Sequence, residues 1–268
     1  MDACAAPADD AGMEHIDGLS AAALAWVAVT FVAAGVVKGI SGMGLPTLAM
    51  ALLSLRLPAA QAAALMLLPA LLTNVAQCLG AHGGELLRRL WPLWTGLVLG
   101  TLFSPLPGLG TGNGTARIAL GVVLVGYGLF GLARPQLPQP GRHERWLGAV
   151  AGLLGGVMSA ATGVFVMPMV PFLQSLQLRR AALIQALGIS FMLASLSLAA
   201  RLGGLEAAAP PDVAALGVAV AAAFAGMALG ARWREKLPAL VFQRALYTVF
   251  LLLGLLMLRQ AFSAIARL

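Results

Sequence analysis

Six long runs of this chain contain no charged residue: 18–37, 57–84, 90–116, 146–178, 181–200 and 213–231. Crossing a bilayer takes about 20 apolar residues in a helix, so most of these runs suit one crossing, and 146–178 has room for two. Within lipid the backbone must satisfy its own polar groups, so the runs are expected to be helices. Composition agrees: 60% of residues are hydrophobic and 10% charged, against about 25% charged in soluble domains. Mean hydropathy is +0.91. The expected fold class is therefore all-α, a polytopic membrane protein of eight to ten helical segments.

Two of the apolar stretches carry matching Gly- and Pro-rich breaks. The first reads Gly35-Val-Val-Lys-Gly-Ile-Ser-Gly42-Met-Gly-Leu-Pro46; the second runs from Gly155 through Thr162 and Gly163 to Pro168 and Pro171. Gly42 and Gly163 lie 121 residues apart, as do Leu57 and Leu178, and Gly83 and Gly204. Broken apolar segments at corresponding places in two halves point to a transporter's binding site.

Ten apolar segments are expected, at 19–38, 42–56, 59–80, 90–105, 115–133, 146–161, 164–177, 181–201, 211–231 and 239–258. The segments 42–56 and 164–177 are short, and whether they span or re-enter is open. The organisation follows: an acidic tail at 1–18, a first membrane repeat at 19–133, a linker at 134–145, a second repeat at 146–262 and a tail at 263–268. With the N-terminus outside and ten crossings, twelve of the 17 Lys and Arg residues fall inside and five outside, the sense of the positive-inside rule. Five crossings per half would make the repeats inverted. Trp91, Trp94, Trp146 and Trp233 lie at segment ends, where interfacial anchors are expected.

The net charge of +7 is explained by topology, because the arginines flank apolar segments; no nucleic-acid partner is expected. Cys4 and Cys78 have no CxxC partner, and neither a metal nor any other cofactor is implied. The acidic stretch 1–18 lacks the positive region of a cleaved signal peptide, so the first apolar segment is read as a retained anchor. An intramembrane enzyme needs paired catalytic groups within the apolar core; no His, Asp, Glu or Cys pair lies there, so the chain reads as a non-enzyme. It also lacks a nucleotide-binding loop. Glu85 and Glu206 align under the offset, either as proton carriers near an interface or as solubilising loop residues.

The run Ala34-Gly-Val-Val-Lys-Gly-Ile-Ser-Gly-Met-Gly44 and the stretch Leu57-Pro-Ala-Ala-Gln-Ala-Ala-Ala-Leu-Met-Leu-Leu-Pro69 resemble the sulfite exporter TauE/SafE family, as does Gly226-Met-Ala-Leu-Gly230-Ala-Arg232. The likeness covers most of the chain. It departs at Ala161-Thr-Gly-Val-Phe165, where the family often has a Gly-rich run. The resemblance implies a secondary transporter in the cell inner membrane, exporting sulfite, an organosulfonate or another small organic anion. An anion channel and a non-transporting scaffold are the alternatives, and homo-oligomerisation is left open.

The expected substrate-binding residues are Lys38, Gly39, Ser41, Gly42, Met43, Gly44, Asn74, Thr162, Gly163 and Gln185. Amides freed at a helix start favour an anion, and Ser41 and Thr162 align under the offset. Several have a plainer reading. Gly35, Gly39, Gly42 and Gly156 also suit helix packing, Lys38 could snorkel to headgroups, and Asn74, Gln77, Gln185 and Ser190 could tie helices together.

Overall fold

The computed structural model describes residues 21–106, 109, 113–133, 137–204, 211–234, 236 and 239–265. The acidic tail 1–18 with Cys4, the turn residues 110–112, Arg134, Glu206 and Arg267 lie outside the described residues.

Among the described residues, ten α-helices follow the ten expected segments: α1 Ala21–Ser41, α2 Leu45–Leu53, α3 Ala59–Cys78, α4 Gly83–Leu102, α5 Asn113–Ala133, α6 Glu144–Thr162, α7 Met169–Ser175, α8 Arg180–Gly204, α9 Val213–Trp233 and α10 Ala239–Ile265. Six of them, α1, α3, α5, α8, α9 and α10, are long and apolar enough to cross a membrane. α4 and α6 have similar lengths, 20 and 19 residues, about 30 Å at 1.5 Å per residue. α4 begins at Gly83 rather than near 90 because the polar turn carrying Glu85, Arg88 and Arg89 stays helical beyond the apolar part.

Local sequence sets the helix ends. Asp212 caps α9 by accepting from the Ala214 and Ala215 amides, the usual service of an N-cap carboxylate. Arg201 donates to the carbonyls of Thr101 and Leu102, at 3.1 and 2.9 Å, closing the free end of α4. α2 and α7, of 9 and 7 residues, are too short to span alone. Each runs back beside the long helix before it. Gly155 of α6 faces Phe165, Met167 and Met169, and Gly148 faces Phe172; in the first half, Gly44 meets Val37, and Arg56 stacks over Trp26 at 4.5 Å. Each break is therefore a reversal of the chain, not an interruption in a helix that continues onward.

The close helix pairs meet through glycine. α1 lies against α9 with Gly35 and Gly39 facing Gly226 and Gly230, and α4 lies against α6 with Gly96 and Gly100 facing Gly152 and Gly156. A Cβ at Gly35 would fall 2.3 Å from the Ala223 carbonyl oxygen, and one at Gly156 would fall 2.3 Å from that of Leu97. Small residues four apart allow this backbone approach. In both pairs the contacts advance together along the two chains, so α1 runs parallel to α9 and α4 to α6. α5 and α10 are antiparallel, with Gly121 opposite Leu258 and Gly131 opposite Tyr247. Exchanging the halves turns the α1–α9 pair into α6–α4 and leaves α5–α10 and α3–α8 paired as they were.

Trp94 departs from expectation. It is 5% exposed, and its indole donates to Ser190 Oγ at 2.9 Å, tying α4 to α8 inside the bundle. Trp91, Trp146 and Trp233 remain exposed.

Candidate functional site

The two breaks share one hydrogen-bond pattern, residue for residue at the 121-residue offset. Gly42 N donates to the Lys38 carbonyl and Gly163 N to that of Ser159, both at 2.7 Å. Ser41 Oγ donates to Val37 O at 2.8 Å and Thr162 Oγ1 to Met158 O at 2.7 Å. Each hydroxyl then accepts the amide two residues on, Met43 at 3.3 Å and Val164 at 3.1 Å. Gly42 has φ +79° and Gly163 φ +71°, a left-handed conformation that costs other residues about 1–2 kcal/mol. Ser41 and Thr162 thus shape the turns.

What surrounds the turns differs. Lys38 is 2% exposed. Its ammonium donates to Thr73 Oγ1 at 3.0 Å and to Asn74 Oδ1, both on α3. It does not snorkel. Gln77, one turn beyond Asn74, donates to the Gly42 carbonyl at 2.8 Å. Asn74 Nδ2 and Gln77 Oε1 are buried with no protein partner. No carboxylate bonds Lys38 among the described residues. Met43 reaches the next layer, where its sulfur lies 4.0 Å from the Tyr127 hydroxyl. The turn passes to α2 through Gly44, whose φ is +94°. Pro46 has no amide, so Leu45 and Thr47 supply the free N–H groups of the first turn of α2.

Among the described residues, no cation stands at the second break. Ser159 stands at the place of Lys38 and Ser195 at that of Asn74, and both hydroxyls are buried without a partner. A Cβ at Gly163 would sit 2.8 Å from the terminal methyl of Met50. Met50 of α2, the helix that leaves the first break, therefore fills the space at the second. α7, of seven residues, is too short to present a dipole comparable to that of a long helix.

Of the expected residues, Lys38, Gly42 and Asn74 come together, with Ser41, Met43 and Gly44 forming the adjoining turn. Thr162 and Gly163 form the other turn. Gly39 faces the backbone of Met227 and Ala231 in the α1–α9 contact. Gln185 is saturated elsewhere: it donates to the carbonyls of Cys78 and Gly80 and accepts from His82 N at 3.0 Å, bracing the α3–α4 turn. Thr73, Tyr127, Ser159 and Ser195 were missed. The 121-residue offset applied to Lys38 and Asn74 points to the two serines, whereas nothing in the sequence singles out Tyr127.

Long apolar helices, glycine-mediated packing and two equivalent chain reversals define a multi-pass membrane protein. The family model described as Sulfite exporter TauE/SafE matches residues 27–257. The chain belongs to that family and is a membrane transport protein. Comparison with curated proteins and with solved structures gave no match.

Proposed function

We propose that the protein is a secondary transporter that exports a small anion, such as sulfite, an organosulfonate or another small organic anion, across the cell inner membrane. The observation that carries this reading is Lys38: an ammonium 2% exposed, held between apolar helices by neutral oxygens alone. A charge in such a place is costly and functional by default, and an anion is the guest that neutralises it. Asn74 Nδ2 and the free amides of α2 add donors of the right polarity, while Gln77 fixes the turn.

Alternating access is supported by the exchange symmetry of the helix pairs. α1 ends beside the end of α3 and the start of α8, whereas α6 begins beside the start of α4. The contacts between α8 and the α3–α4 turn bring those ends near one another, which supports reading the equivalent helices α1 and α6 as opposite in sense. Inverted repeats of this kind let a central site open to either face. α2 links the two breaks, because it starts at the first and carries Met50 to the second.

The test is uptake into proteoliposomes of radiolabelled sulfite, sulfoacetate, thiosulfate and short carboxylates, with pH and potential varied. Saturable transport of one of these anions, lost in Lys38→Met while the protein stays folded, is the expected result. Near-normal flux in Lys38→Met would refute the site, and unsaturable flux without exchange would mark a channel.

A further inference from the structure

The starts of α4 and α6 are parallel neighbours, and between them opens a cleft of about 970 Å³. Arg88, Arg89, Arg142 and Arg145 line it, with Glu85 and Glu144 opposing them among the described residues. Glu144 is occupied by Arg89 through two hydrogen bonds, at 2.5 and 2.9 Å. Arg142 donates to His143 at 3.0 Å. Arg88 and Arg145 are exposed and have neither an ion pair nor a hydrogen bond among the described residues.

The depth of the cleft is marked by tryptophan. Trp91 follows Arg88 by three residues, and so shares its side of α4; Trp146 follows Arg145 directly. They are 51% and 68% exposed. Exposed tryptophans settle at the level of lipid headgroups, and Leu87 and Leu147 beside them are exposed as well. A guanidinium fork matches phosphate oxygens in geometry and charge. A soluble anion would use the arginines alone, whereas a phospholipid would also cover the apolar rim.

We propose that this cleft binds the phosphate headgroup of an anionic phospholipid, with Arg88 and Arg145 as its phosphate ligands and Trp91 and Trp146 flanking the glycerol region. The site is separate from Lys38, and the proposal stands whether or not the chain carries an anion there.

The full-length protein in detergent is titrated with phosphatidylglycerol, with phosphatidylcholine of the same acyl chains, and with inorganic phosphate, followed by native mass spectrometry and thermal shift. Phosphatidylglycerol is expected to remain bound and to raise the melting temperature; phosphatidylcholine and millimolar phosphate are not. Arg88→Gln with Arg145→Gln should weaken phosphatidylglycerol binding at least ten-fold, whereas Arg259→Gln, near the other end of the bundle, should leave it unchanged. Glu144→Gln, which releases Arg89, should tighten binding and serves as a gain-of-binding check in a folded protein. Equal binding of the two lipids, wild-type affinity in the double variant, or the same stabilisation by phosphate alone would overturn the proposal.

Discussion

Lys38 and Ser159 hold the same position in the two halves, and each carbonyl accepts a 2.7 Å hydrogen bond from the glycine four residues later. The backbone is repeated while the side chain is not. Lys38 finds Thr73 and Asn74 on α3; Ser159 has at the corresponding places of α8 only Ala194 and Ser195. Placing a lysine at 159 should therefore bury an ammonium with no amide oxygen to receive it. Ser159→Lys is expected to destabilise the protein by up to about 2.5–3.5 kcal/mol, the cost of a charge at the centre of a membrane helix. Ser159→Ala removes a hydroxyl that already lacks a partner and should be close to neutral. Denaturation in mild detergent compares the two; equal effects would contradict the assigned asymmetry.

Gln185 separates bracing from binding. Its amide satisfies two carbonyls and one backbone N–H of the turn between α3 and α4. Gln185→Leu leaves all three without that partner, at about 1–3 kcal/mol for each group that stays buried. Stability should fall, while the KM of the variant that remains folded should stay within about two-fold of wild type. A large KM change with unaltered stability would return Gln185 to the anion site.

Much of this was legible from the chain. The apolar segments locate the ten helices, because lipid leaves the backbone no alternative to helix, and the 121-residue offset pairs two turns whose hydrogen bonds then repeat. Direction was harder to read. A Gly-Pro break is compatible with a helix that resumes its course or with one that folds back, and only the contacts of Gly148 and Gly155 with residues 165–172 decide it. Trp94 was misplaced because its position near a segment start does not reveal which side of α4 it occupies; Ser190, 96 residues away, supplies its acceptor. Gly39 fits a ligand or a neighbouring helix equally well in sequence, since a missing side chain is silent about what takes its space.

Gly39 and Gly156 should respond alike. A Cβ at either would fall 2.3 Å from a backbone carbonyl oxygen of the facing helix, Met227 in one case and Leu97 in the other. Backbone cannot swing aside as a side chain can, so α1–α9 and α4–α6 must each separate. Gly39→Ala and Gly156→Ala are each expected to cost about 1–3 kcal/mol, the usual penalty of overpacking, as lowered melting temperatures in detergent. A Gly39→Ala variant that keeps its stability but loses anion affinity would instead place Gly39 against the substrate.

Gly42 and Gly163 have nearly the same backbone conformation but different neighbours, so alanine at the two positions separates strain from crowding. At Gly42 the nearest atoms to an added Cβ are 3.8 and 4.0 Å away, in Gln77 and Ile184. Gly42→Ala should thus cost only the left-handed conformation, about 1–2 kcal/mol. At Gly163 the same cost applies, and the new methyl also meets Met50 at 2.8 Å. Gly163→Ala should therefore be the more damaging of the two. Repeating both in a Met50→Ala background removes the crowding and leaves the backbone term, so the difference between the two substitutions should shrink towards zero. Thermal denaturation of the six proteins, each compared within its own background, measures this. A difference that survives Met50→Ala would mean that Met50 is not what fills the second break.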